Sequence, residues 1–195
     1  MMAAGRDLPQ FEVTSRAQLR AWLEANHAKS GSVWLVIWKK QDPDRHLSHA
    51  AIVEEALCFG WVDSLPRKLD AERSMLLLSR RKPGSAWSAA NKARITRLTQ
   101  DGMMAPAGLA AVEAAKADGS WSFLDDVERL EVPPDLADAL ARYPEAAEHF
   151  AAFPRSARRG ILEWIKQAKR PETRKRRIEE TARLASVNKR ANQFR

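Results

Sequence analysis

A carboxylate in one short segment and a cluster of cations, hydroxyls and rings in another are the side chains best suited to hold a charged small molecule. The first segment is Gly60-Trp61-Val62-Asp63. The second runs Arg81-Lys82-Pro83-Gly84-Ser85-Ala86-Trp87-Ser88 and on to Asn91. Arg81 and Lys82 bring charge, Ser85 and Ser88 hydroxyls, Asn91 an amide, and Trp61 and Trp87 aromatic walls. The second segment also feeds a helix start, where free N–H groups favour an anion. The expectation is a pocket for a small anionic ligand lined by Trp61, Asp63, Arg81, Lys82, Ser85, Trp87, Ser88 and Asn91. The competing reading makes Trp61 and Trp87 core anchors, pairs Asp63 with a loop arginine, and leaves Ser88 as a helix cap. An enzyme with Asp63 as base and the loop cations as electrophilic stabilisers is an alternative use of the same groups. No reaction follows from these residues, so none is assigned a catalytic role.

Other constellations carry less. Cys58, with His27, His46 or His49 as base, has the makings of a nucleophile. Its neighbours Leu57 and Phe59 are apolar, which favours a small buried hydrophobe with a raised pKa. Asp42, Asp44, His46 and His49 form a D-x-D-x-H-x-x-H cluster with ligand types that suit zinc. Asp-Pro-Asp is also ordinary turn chemistry, and His49 falls in the first turn of a helix. The expectation is no metal and no cofactor. Glu54 and Glu55 are adjacent on a helix and so point in different directions, which rules out a carboxylate pair. One of them is expected to meet a basic residue of the neighbouring loop.

Charge singles out the C-terminal end. Residues 155–195 carry 14 Lys and Arg against 4 Asp and Glu, a net of +10, while residues 1–154 carry 19 against 21, a net of −2. Arg174-Lys175-Arg176-Arg177 fills four successive helical positions, so its charges surround the helix and one must face inward near Ile178. With Lys169 and Arg170 these residues form a positive surface, the second candidate site, for non-specific nucleic acid. No zinc finger, aromatic RNA platform or basic zipper accompanies it. The competing reading is a solvated face paired with Glu172, Glu179 and Glu180.

The elements that position these groups follow from caps and apolar spacing. Ser15 caps a helix with Leu19, Trp22 and Leu23 on one stripe. Val33 to Trp38 is β-branched and aromatic and reads as a mostly buried strand. Ser48 caps a second helix with Ile52, Val53, Ala56 and Leu57 inward, stopped by Gly60. Trp61 to Ser64 reads as a short strand, Leu65 to Lys68 as a turn, and Ser74 to Ser79 as the returning strand. Pro83 and Gly84 make a loop, and Ser88 caps a helix through Ile95 and Leu98. Pro106 opens another helix, ended by Gly119. After a connector over 120–133, four helices are expected at about 134–141, 144–152, 156–169 and 171–187. Pro134, Pro144 and Pro171 stand in first turns, and Ser156 is a cap.

The 45% apolar and 30% charged composition is that of a folded globular chain rather than a disordered one. The apolar runs are far shorter than the roughly 20 residues a membrane helix needs. The N-terminus shows no apolar signal core, and one cysteine cannot form an intrachain disulfide. A cytoplasmic protein is expected.

Three segments carry a resemblance to a known family: Glu54-Glu-Ala-Leu-Cys-Phe-Gly-Trp-Val-Asp-Ser64, Arg81 to Asn91, and Trp164 through Ala168-Lys-Arg-Pro-Glu-Thr-Arg174 to Ile178. In this order the chain resembles the YdeI/OmpD-associated family, also labelled bacteriocin-protection proteins, over nearly its whole length. The resemblance implies a stress- or bacteriocin-protection role and brings no reaction or ligand with it. The expected fold is α+β: a small N-terminal sheet with flanking helices over residues 1–127, then an all-helical unit over 128–195.

Overall fold

The computed structural model describes residues 8–192. The chain divides into two units, Met1–Ser122 and Phe123–Arg195.

The first unit is built on a four-stranded sheet. Strand β1 (Gln10–Val13) leads into helix α1 (Arg16–Asn26), capped by Ser15, whose hydroxyl accepts the Gln18 N–H. Strand β2 (Val33–Trp38) lies parallel to β1, so α1 is the crossover that a parallel pair requires. Helix α2 (His49–Cys58), capped by Ser48, runs back to a hairpin of β3 (Trp61–Lys68) and β4 (Arg73–Arg80). The strand order is β1-β2-β4-β3, with β4 antiparallel to both neighbours. Helices α3 (Ala89–Gln100) and α4 (Pro106–Ala117) complete the unit.

Two expectations change here. Leu65 to Lys68 is not a turn, because β3 continues through Pro66 across an irregularity between Asp63 and Pro66. A proline is tolerated there because β3 is an edge strand and Pro66 stands at its bulge. The turn falls at Asp70, whose carboxylate accepts the N–H groups of Glu72 and Arg73 at 2.9 and 2.6 Å. Strand β1 carries no clear signal in the sequence. It has four residues and one fully buried side chain, too short a pattern to read.

Alternation along β2 serves two apolar clusters. Val33 and Leu35 join Leu76 and Leu78 in the core with α1 and α2, while Trp34, Val36 and Met75 are buried on the other face. Within the core Trp22 stacks on Phe11 at 5.1 Å and meets Trp61 edge-on at 5.8 Å.

Helix α4 lies against the end of α2. The Cys58 carbonyl accepts the Ala105 N–H at 3.1 Å, which satisfies one of the carbonyls a helix end leaves open. Gly108 permits the approach: a Cβ there would lie 2.7 Å from the Cys58 carbonyl carbon and closer still to its oxygen. Gly60, at φ +71, turns the chain beside Ala107 and Ala111.

The second unit is helical: α5 (Asp125–Glu128), α6 (Pro134–Ala141), α7 (Ala146–Ala152), α8 (Arg155–Lys166) and α9 (Pro171–Ser186). Helix α5 lies within the stretch read as a connector. Pro134 and Pro171 open their helices as expected, but Ser156 lies inside α8, which starts behind Pro154. Helix α9 packs on α6, α7 and α8. Its inward residues Ile178, Thr181, Ala182 and Ala185 are mostly small, which brings the helices close. His149 donates from Nδ1 to the Ala185 carbonyl at 2.9 Å, tying α7 to α9.

The glycine geometry predicts opposite effects in the two units. Gly108→Ala forces backbone apart and lowers stability by about 1–3 kcal/mol. Gly160→Ala, with open space at its Cβ in the middle of α8, raises stability by about 0.8–1 kcal/mol. Urea midpoints of the two variants check both signs.

Candidate functional site

The loop after β4 half-buries a cation and leaves part of it unmatched. Arg81 extends the ladder by donating its N–H to the Gly60 carbonyl at 2.9 Å. Pro83 and Gly84, at φ +72, then fold the chain so that the Ser85 N–H reaches the Lys82 carbonyl. Trp87 is 1% exposed, and the Arg81 guanidinium lies over its ring at 3.7 Å. One guanidinium nitrogen, Nη2, donates to the Ala86 carbonyl. The other two, Nε and Nη1, are buried and have no hydrogen-bond partner among the described residues. Burial pushes the Arg81 pKa down to about 10, against the opposing pull of Asp63.

A cavity of about 110 Å³ opens beside this cation. Arg81, Lys82 and Trp87 line it from the loop, and Ala111, Ala114 and Ala115 from α4. Asp118, just past α4, also lines it. Its carboxylate accepts the Gly84 N–H at 3.0 Å and the Ser120 N–H at 2.9 Å. The Ser120 side chain and these N–H groups hold Asp118 below the usual carboxylate range.

Of the residues picked out in the sequence, Arg81, Lys82 and Trp87 line this cavity. Asp63 acts on Arg81 through its charge, and its Oδ2 is 2.9 Å from His49 Nε2. Trp61 is buried in the core, donating its indole N–H to the His27 carbonyl at 3.3 Å. Ser85 sits in the loop turn. Ser88 caps α3 by accepting the Asn91 N–H, and the Asn91 amide oxygen accepts from Arg94 at 3.0 Å. Asp118, Ser120 and the α4 alanines had no signal in the sequence, because an alanine announces no chemistry and α4 is remote from the loop in the chain.

A second charged cluster is fully matched. The Glu55 carboxylate is 0% exposed and takes Arg16 Nε at 2.6 Å and Arg20 Nη1 at 3.1 Å. Glu54 meets the same Arg16 at 3.0 Å and also Arg97. Both glutamates are therefore paired, through arginines on α1 and α3 rather than through a basic loop residue. Cys58 is buried beneath this cluster. Burial, with Glu55 beside it, pushes the thiol up, and Arg20 and Arg16 only partly oppose this. The Asp/His cluster disperses: Asp42 holds Arg45, His46 donates from Nδ1 to the Trp38 carbonyl, and His49 turns to Asp63. Among the described residues no three His, Cys, Asp or Glu gather as for a metal ion.

The basic C-terminal segment splits into two groups. Arg174 grips Asp135 with two bonds of 2.7 and 2.8 Å. Arg177 is the inward member, donating to the Trp164 carbonyl and lying over that ring at 4.9 Å. Lys169, Arg170, Lys175 and Arg176 are exposed.

The fold and these contacts define an α+β unit with a cation-lined cavity followed by a helical unit. Residues 11–111, just over half of the chain, match the family described as Domain of unknown function (DUF8412), and the chain belongs to that family. Residues 129–188 match the family described as Bacteriocin-protection, YdeI or OmpD-Associated, the family the sequence resembles. The Trp164–Ile178 segment falls within this second match, while Glu54–Ser64 and Arg81–Asn91 fall within the first. The chain matches no curated protein and no solved structure. No helix among the described residues is long and apolar enough to cross a membrane.

The setting of Cys58 predicts slow chemistry. A thiol reagent should label it only as the protein opens, at a rate that climbs with added denaturant. Rapid labelling of the native protein at neutral pH would contradict a buried thiol of raised pKa.

Proposed function

We propose that the first unit binds a small anionic ligand through Arg81. The observation that supports this reading is the pair of buried guanidinium nitrogens, Nε and Nη1, that lack partners among the described residues. Leaving charged donors buried and unmatched is costly, whereas an anion entering the cavity would supply the missing acceptors. The desolvation that lowers the Arg81 pKa also strengthens its attraction for a negative group. Trp87 holds the guanidinium from one side through its ring face. The name of the family matched at 129–188 suggests that such binding serves a protective role, and the lone buried Cys58 suits a reducing compartment such as the cytoplasm.

Calorimetric titration with inorganic phosphate, sulfate and acetate tests the reading. Arg81→Met should weaken binding by at least about tenfold, in line with the roughly 1.5–3 kcal/mol of a hydrogen bond to a charged group. The same variant should unfold at an equal or higher temperature, because it removes a charge that Asp63 compensates only in part. Absence of binding by all three anions, or an Arg81→Met variant that binds as well as the parent, would remove this function.

A second reading rests on the second unit. Lys169, Arg170, Lys175 and Arg176 are exposed and make no ion pair among the described residues. Lysines and arginines so placed bind nucleic acid by releasing counterions, with little sequence selectivity when no groove-reading element is present. Four such contacts predict that log affinity falls with log salt at a slope of about −3 to −4. Changing all four to Gln should flatten that slope, and should spare the fold because the Arg174–Asp135 pair is untouched. Failure to bind DNA or RNA at low salt would eliminate the reading.

A further inference from the structure

We propose that the Arg81 cavity selects a short-chain monocarboxylate over phosphate or sulfate, an inference that rests on the anion-binding reading above.

The donors decide the head group. A phosphate site normally gathers several backbone N–H groups and more than one cation. Here three of the nearby N–H donors are already committed. The Gly84 and Ser120 N–H groups go to Asp118, and the Asn91 N–H goes to the Ser88 hydroxyl. What remains is chiefly the Arg81 guanidinium, whose unmatched Nε and Nη1 point to opposite sides while Nη2, the partner that either would need for a two-pronged grip, is held by Ala86. No fork is open to two oxygens of a phosphate or sulfate, and the site takes a single anionic oxygen.

Charge points the same way. Lys82 lines the cavity but is exposed, so the half-buried Arg81 is the more enclosed cation of the site. Asp118 lines the same cavity and is held ionised by Ser120 and Gly84. A dianion would bring two charges to one buried guanidinium and face a carboxylate at close range. A monoanion avoids that repulsion.

The remaining wall is apolar and small. Ala111, Ala114 and Ala115 present methyl groups opposite the Trp87 side of the loop, and the space is about 110 Å³. Such a surface offers nothing to the outer oxygens of phosphate or sulfate. It buries methylenes, each of which strengthens binding about fourfold. The space covers a few methylenes, beyond which a longer chain would pass into solvent.

The test is calorimetry on the full chain with acetate, propionate, butyrate, octanoate, phosphate, sulfate and the peptide trialanine. Affinity should climb about fourfold per methylene from acetate to butyrate and stop rising at octanoate. Phosphate and sulfate should bind at least tenfold more weakly than butyrate. Ala114→Leu, which alters an exposed helical position that also lines the cavity, should flatten the chain-length series. Phosphate or sulfate binding more tightly than butyrate overturns the selectivity and leaves the anion site standing. So does a series with no dependence on chain length. Trialanine binding more tightly than butyrate overturns the assignment to a free acid. If none of the anions binds, the anion-binding reading itself fails.

Discussion

The close seating of α4 on the last turn of α2 is the constraint from which the rest of the first unit follows. It requires that Gly108 have no side chain, because the Cys58 carbonyl occupies that space. It also requires a left-handed residue at Gly60, which turns the chain past Ala107 and into β3. The Gly60 carbonyl then receives the Arg81 N–H, so the residue that ends α2 also sets where the β4 loop begins. The later turns of α4 come to lie beside that loop, and Asp118 locks the arrangement by accepting the Gly84 N–H. The cavity is thus a product of helix packing rather than of the loop alone.

Two arginine environments in the same unit show how differently the fold treats buried charge. Around Glu55 the charges are matched. Burial lowers the pKa values of Arg16 and Arg20, but the Glu55 carboxylate outweighs it and both end above their ordinary values. That arrangement ties α1 to α2 and asks nothing of a ligand. At Arg81 the balance is reversed: burial dominates, Asp63 compensates only in part, and two nitrogens stay unmatched. Packing could have avoided this cost with an apolar residue of similar volume. An anion bound at Arg81, as proposed, would offset that cost.

Much of this architecture could be read from local chemistry. Ser15, Ser48 and Ser88 are caps where they were expected, because capping depends on a residue and its next three neighbours. The strand Val33–Trp38 and the cation loop were legible for the same reason. What escaped was set by tertiary contact. Pro66 looked like a turn because only the sheet order shows that β3 is an edge. Trp61 and Trp87 both join the core beside their turns, yet one closes it against Trp22 and the other also supports Arg81. Adjacency argued that Glu54 and Glu55 go separate ways, and it missed that one guanidinium can hold both. The Asn91 amide, a natural ligand donor by type, is taken by Arg94 one turn along its own helix.

The family boundaries fall inside the structural units, 11–111 within Met1–Ser122 and 129–188 within Phe123–Arg195. Each unit therefore matches a family of its own. In the first, the matched region includes Arg81, Trp87 and Ala111, while Ala114, Ala115, Asp118 and Ser120 lie just past its end. On the proposed reading this separates two jobs. The guanidinium and its supporting ring provide affinity for a negative charge of any origin, and they are positioned by the sheet and by Gly60. The last turn of α4 and Asp118 decide which anion fits, through methyl groups and one fixed negative charge. A change there would alter the ligand without disturbing the buried cation, since none of those side chains bonds to Arg81 among the described residues.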